Sequence, residues 1–157
     1  MSIDAVYNAR ILDLAGNIDG IGRLDAPDGT ARRHSKLCGS TVTVDVRLGS
    51  DGRIVDFAQD VKACALGQAS AAILAKGAVG ASLDELREGR DGLRAVLKDG
   101  AQAPDGRFAE LEFLSPVKDY RARHASTMLA FEAAVEAVEQ ALATEGQHGA
   151  LKDGQAA

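Results

Sequence analysis

Two thiols carry most of the chemistry this chain offers: Cys38 and Cys64, each beside positive charge and each at the edge of a regular element. Cys38 follows Arg32, Arg33, His34 and Lys36, and precedes Gly39, whose missing side chain lets backbone or ligand come close. Cys64 follows Lys62 by two residues and precedes a helix-compatible run, so helix N-terminal amides would lie beside it. Cations and helix N-termini favour the thiolate, the form that ligates metal and attacks sulfur. Both residues are therefore candidate metal ligands or sulfur acceptors. The competing reading is that each packs in the core as a small hydrophobe, since free cysteine is among the most buried residue types. Two cysteines permit one disulfide, but disulfide-stabilised secreted domains carry a denser set, so free thiols are expected.

Other chemical signatures are missing. The chain has no Cys-x-x-Cys pair, no His-Glu-x-x-His, no Gly-x-Gly-x-x-Gly, no phosphate-binding loop with its lysine and no Gly-x-Ser-x-Gly elbow, which leaves an enzyme reading little to stand on.

The elements that must position the two thiols follow from periodicity. Ile3, Val6, Tyr7, Ile11 and Leu14 recur at helical spacing, and the Gly- and Asp-rich stretch from about Asp19 to Ser35 reads as a long loop leading to Cys38. Val42, Val44, Val46 and Leu48 alternate with Thr41, Thr43, Asp45 and Arg47, which predicts a half-buried strand. Val55, Phe57 and Val61 predict one or two further strands pairing back on it, with Cys64 at the following strand-to-helix junction. A helix over Leu66 to Lys76 comes next, then a capping box at Ser82-Leu83-Asp84-Glu85, with Gly89 and Gly92 suggesting a break into two helical pieces. After a loop around Pro104 and a basic stretch from Lys118 to His124, Met128, Phe131, Val135, Val138 and Leu142 mark a long helix. One domain over residues 1–144 and a flexible tail over 145–157 are expected.

Bulk properties narrow the partners. A formal net charge of −5 argues against broad nucleic-acid binding, and no apolar run approaches a membrane span, so a cytoplasmic protein is expected. Lys118, Arg121 and Arg123 read as a solvated surface run or as a docking patch for an acidic partner. Glu132, Glu136 and Glu139 read as the solvated face of the last helix.

The stretch His34-Ser35-Lys36-Leu37-Cys38-Gly39-Ser40, and after the strand of valines Val61-Lys62-Ala63-Cys64-Ala65-Leu66-Gly67-Gln68-Ala69-Ser70-Ala71, resembles the Cys-Gly-Asp and Gly-Cys-x-x-x-x-Ala-Ser segments of U-type (NifU/IscU/SufU-like) iron-sulfur cluster assembly scaffolds. The likeness continues through Pro116-Val117-Lys118 and Arg123-His124-Ala125-Ser126-Thr127-Met128-Leu129 and spans Tyr7 to Leu142. The interval between Cys64 and Arg123 looks closer to the SufU-like branch.

The resemblance implies an α+β fold: a small antiparallel three-stranded sheet covered by helices, with both cysteines near one end. In that family three cysteines and an acidic residue hold iron, zinc or a nascent [2Fe-2S] cluster, accept sulfur from a cysteine desulfurase and pass the product to carrier proteins. Cys38 and Cys64 match the first two cysteines. Ser40 stands where the aspartate is expected and Ala125 where the third cysteine is expected.

Cluster iron needs four first-shell positions, usually thiolates, and this chain brings two. His124, adjacent to the missing cysteine, and His34, four residues before Cys38, are candidate metal ligands through imidazole nitrogen; the bland reading of each is a solvated surface residue. Alternatively, two chains each giving Cys38 and Cys64 would hold one cluster across a homodimer. The expected function is a non-catalytic scaffold or accessory protein in iron-sulfur cluster assembly. The rivals are a zinc- or iron-binding sulfur-transfer partner without cluster assembly, and a structural or regulatory module that has lost its ligands.

Overall fold

The alternating segment Thr41–Leu48 forms the central strand, β2, with Val42, Val44 and Val46 fully buried and Leu48 nearly so. Each such burial is worth roughly 1.5–3 kcal/mol. The structure, a computed structural model, describes residues 7–36 and 39–156, with side chains as far as Thr144. β2 lies between two antiparallel neighbours, β1 (Gly29–His34) and β3 (Ile54–Lys62), in the order β1-β2-β3. This is the three-stranded antiparallel sheet of the expected α+β fold.

One strand comes from a segment that reads as loop. β1 pairs Gly29 with Val46 and Ala31 with Val44, so its core face carries a glycine and an alanine where an apolar period would need larger residues. They are small because the last helix, α4 (His124–Ala156), lies directly on them: a Cβ on Gly29 would collide with the Ala137 carbonyl oxygen and the Ala141 side chain. The segment after the turn, in contrast, is a single strand. An irregularity between Arg47 and Leu48 shifts the register, burying Ile54 and leaving Val55 half exposed, so Val55 does not share the face of Phe57 and Val61.

The helices cover one face of the sheet. α4 packs on β1 and β2 with Phe131, Val135 and Val138 buried; α2 (Ala65–Ala78) lies beside it, and α1 (Ala9–Gly16) buries Ile11 and Leu14 against α2. α3 (Leu83–Asp99) packs on the other flank of α4. It starts with the expected capping box, Ser82 accepting from the Glu85 amide and Glu85 accepting from the Ser82 amide.

α3 does not break at its glycines. A Cβ on Gly89 would strike the rings of Phe108 and Phe131, which meet edge to face at 5.2 Å, and one on Gly92 would strike Pro104. Both glycines therefore serve close packing. Between α3 and α4 the chain runs through a long 3₁₀ segment, Ala109–Asp119. No helix among the described residues is long and apolar enough to cross a membrane.

Candidate metal and sulfur site

β3 ends and α2 begins at Cys64, which is the N-cap of α2 with extended backbone and a half-buried free thiol. It makes no side-chain cap to its own helix. Its Sγ lies instead 3.4 Å from Oγ of Ser126, a buried residue in the first turn of α4. Ser126 donates its hydroxyl hydrogen to the Arg123 carbonyl at 3.2 Å, which leaves its oxygen as acceptor for the thiol. Helix approach is close at this point because α2 has a glycine in its first turn: a Cβ on Gly67 would lie 3.1 Å from the Ser126 carbonyl oxygen. Two helix N-termini thus converge on one sulfur, and helix N-termini favour anions.

Ala125, beside Ser126, is exposed and lines a cavity of about 270 Å³ together with His34, Ser35, Lys98, His124 and Met128. The structure therefore brings both candidate histidines to one recess, at the position where the resemblance expects a third cysteine. Cys64 itself is not in the lining.

The two imidazoles are held differently. Nε2 of His124 lies 3.0 Å from the Val117 carbonyl oxygen and 3.1 Å from that of Lys118. Carbonyls only accept, so Nε2 carries the hydrogen and Nδ1 is left as the ring's lone-pair nitrogen. This is the arrangement by which a metal-ligating histidine is usually oriented. His34 places Nδ1 3.1 Å from Thr41 Oγ1.

Cys38 lies outside the described residues. Among its described neighbours, the Ser35 amide donates to the Ser40 carbonyl and the Gly39 amide to the Ser35 carbonyl, each at 2.9 Å. Gly39 needs its glycine there, with φ at +67°. Ser40, in the place of the expected aspartate, is buried. Among the described residues no three His, Cys, Asp or Glu side chains group as a metal site.

The sequence reading missed Ser126 as a neighbour of Cys64, and it missed Arg94, Lys98 and Glu132 as walls of the cavity. Ser126 was within reach, being next to Ala125 in the quoted segment, whereas nothing local distinguishes Lys98 from any exposed helical lysine. Glu132 sits between two guanidinium groups, 3.8 Å from Arg33 and 4.0 Å from Arg94. Lys98 makes no ion pair with a described carboxylate; nor do Lys118 and Arg121, which line an adjoining recess of about 590 Å³ with Lys98, Asp119 and His124.

The chain is similar to known proteins over most of its length. The family model described as "NifU-like N terminal domain" matches residues 6–140. The iron-sulfur cluster assembly scaffold protein IscU of Thermotoga maritima is 25% identical over 142 residues, covering 89% of this chain and 97% of that protein. A crystal structure of a nitrogen-fixing NifU-like protein (N-terminal) from Brucella abortus superposes with a TM-score of 0.85 at 52% identity, covering 88% of this chain and 96% of that one. A putative iron-sulfur cluster assembly scaffold for the SUF system from Fervidobacterium islandicum shares the fold at 20% identity, with a TM-score of 0.78 over 88% of this chain and 99% of that one. With a thiol at the N-cap of α2 set against the first turn of α4, and with these matches over nearly its whole length, the chain belongs to the NifU-like N terminal domain family of iron-sulfur cluster assembly scaffolds.

Proposed function

We propose that this protein takes iron and a nascent [2Fe-2S] cluster as cargo on Cys38 and Cys64, receives sulfur from a cysteine desulfurase and hands the product to carrier or apo-target proteins. The observation that supports this most is the contact of Cys64 with Ser126, because it sets the thiol against the residue next to Ala125 although 62 positions separate the two in sequence. Sulfur receipt is a thiol exchange: the Cys64 thiolate attacks the outer sulfur of the donor's persulfide, the donor's S–S bond breaks, a new one forms on Cys64, and the donor cysteine leaves as thiolate. The positive ends of α2 and α4 would favour the persulfide anion so formed.

A second reading, zinc- or iron-dependent sulfur transfer without cluster assembly, draws support from His124, whose fixed Nε2–H leaves Nδ1 as a nitrogen donor suited to zinc. Anaerobic incubation with iron, cysteine and a desulfurase, followed by absorbance and metal counting, separates the two. A visible cluster lost in both Cys38→Ala and Cys64→Ala is the result expected for cargo assembly. Stoichiometric zinc without a cluster would favour transfer, and neither metal would overturn both.

A further inference from the structure

We propose that the cavity between β1, α3 and the first turns of α4 binds a small thiol bearing carboxylates, whose sulfur serves as a ligand beside Ala125. This rests on the cluster reading above. The chain contains two cysteines, whereas cluster iron asks for four ligand positions, and the alanine in this recess offers only a methyl group.

The recess suits such a ligand in size and charge. Its volume, about 270 Å³, is near the lower end of small-molecule sites, which fits a short peptide-like molecule. Its floor is apolar, from Leu97, Met128 and Leu129. Arg33 and Arg94 are held in its wall by carboxylates, Arg33 by Glu136 and Glu132 and Arg94 by Asp91 and Glu132, while Lys98 has no described carboxylate partner. The adjoining recess continues past Lys98 and His124 to Lys118 and Arg121. Among the described residues, the unpaired cations of the two recesses are thus Lys98, Lys118 and Arg121, which share the adjoining recess with one carboxylate, Asp119, in a chain whose net charge is −5. A local reversal of sign in a concave, partly apolar site concentrates anions.

The two ends of the ligand have separate tasks. Its carboxylates engage Lys98 and the adjoining cations whether or not metal is present. Its thiol ligates only when iron arrives, exchanging its proton to solvent for an Fe–S bond, with no change of oxidation state.

The test uses the full-length apoprotein with reduced glutathione and S-methylglutathione as probes, followed by NMR of the Met128 and Ala125 methyl groups and the His124 ring. Both probes should shift these signals with similar affinity, and Lys98→Glu should weaken both roughly fivefold, with Lys98→Gln between. In anaerobic iron loading, only the free thiol should raise the iron retained, and Ala125→Cys should remove its advantage. Absence of shifts with either probe overturns the inference and leaves the cluster reading standing if iron is retained without thiol. Equal iron retention with the thioether overturns the ligand role. Binding of both probes with no iron held under any condition overturns the cluster reading and the ligand role together.

Discussion

Sγ of Cys64 and Oγ of Ser126 lie 3.4 Å apart, joining the N-terminus of α2 to the first turn of α4. Replacing the serine hydroxyl by a thiol puts a second sulfur within bonding reach of the first. In a Cys38→Ala background, oxidised Ser126→Cys should therefore form an intramolecular disulfide with Cys64, seen as the loss of two hydrogens in intact mass and of both alkylatable thiols. Two thiols that stay free under mild oxidant would place the helix ends farther apart than described.

Ala125 is one residue away and exposed, so a thiol there meets solvent and the cavity rather than the core. Ala125→Cys should change stability by less than about 0.5 kcal/mol. Iron or zinc affinity should rise on the order of tenfold or more, about 1.4 kcal/mol, because a third thiolate joins the donor set. Competition with a chromophoric chelator measures this, and unchanged affinity would show that position 125 does not face the metal.

Gly29 reports on the interface between β1 and α4. A Cβ there has no space, since the nearest obstacle is backbone, the Ala137 carbonyl, rather than a side chain that could turn away. Gly29→Ala should cost about 1–3 kcal/mol, read as a lower urea midpoint with an unchanged slope. A neutral result would mean that α4 can lift from the sheet at little cost.

The same contact explains what was legible in the chain and what was not. β2 could be read because its valines alternate against a thick core, and α4 because Met128, Phe131, Val135 and Val138 repeat at helical spacing. β1 could not, because α4 rests on it so closely that its inward positions are a glycine and an alanine, which carry no apolar signal. Gly89 and Gly92 look like breaks for the same reason: close packing against Phe108, Phe131 and Pro104 selects the residue that loops also use. In the site, Cys64 at a helix start and Ala125 in place of a cysteine follow from local order. The cavity wall does not, since Arg33, Lys98 and Glu132 come from three elements that only tertiary packing brings together.

Glu85 should set much of the acid sensitivity of the fold. Its carboxylate accepts from Arg107 Nε at 3.0 Å, from the Ser82 amide at 3.1 Å and from Arg53 Nη1 at 2.7 Å. The Arg107 bond, then the Ser82 amide, with Arg53 adding to them, outweigh the effect of burial and hold its pKa down from 4.5 to about 2. Arg107 also donates to the carbonyls of Gly77 and Val79, and Arg53 to that of Gly80, so this one carboxylate ties the end of α2 to the starts of β3 and α3. Because the folded value is the depressed one, the stabilisation is fully present above pH 4.5, fades as pH falls through the interval down to about 2, and is gone below it. The side chain is 34% exposed, so solvent screening reduces the effect to about 1–2 kcal/mol. Glu85→Gln should lower the urea midpoint by a constant amount from neutral pH down to about pH 5, with the gap to the parent closing as the solution is acidified further. A gap that persists unchanged to pH 2.5 would show that the carboxylate acts through shape and neutral hydrogen bonding rather than through charge.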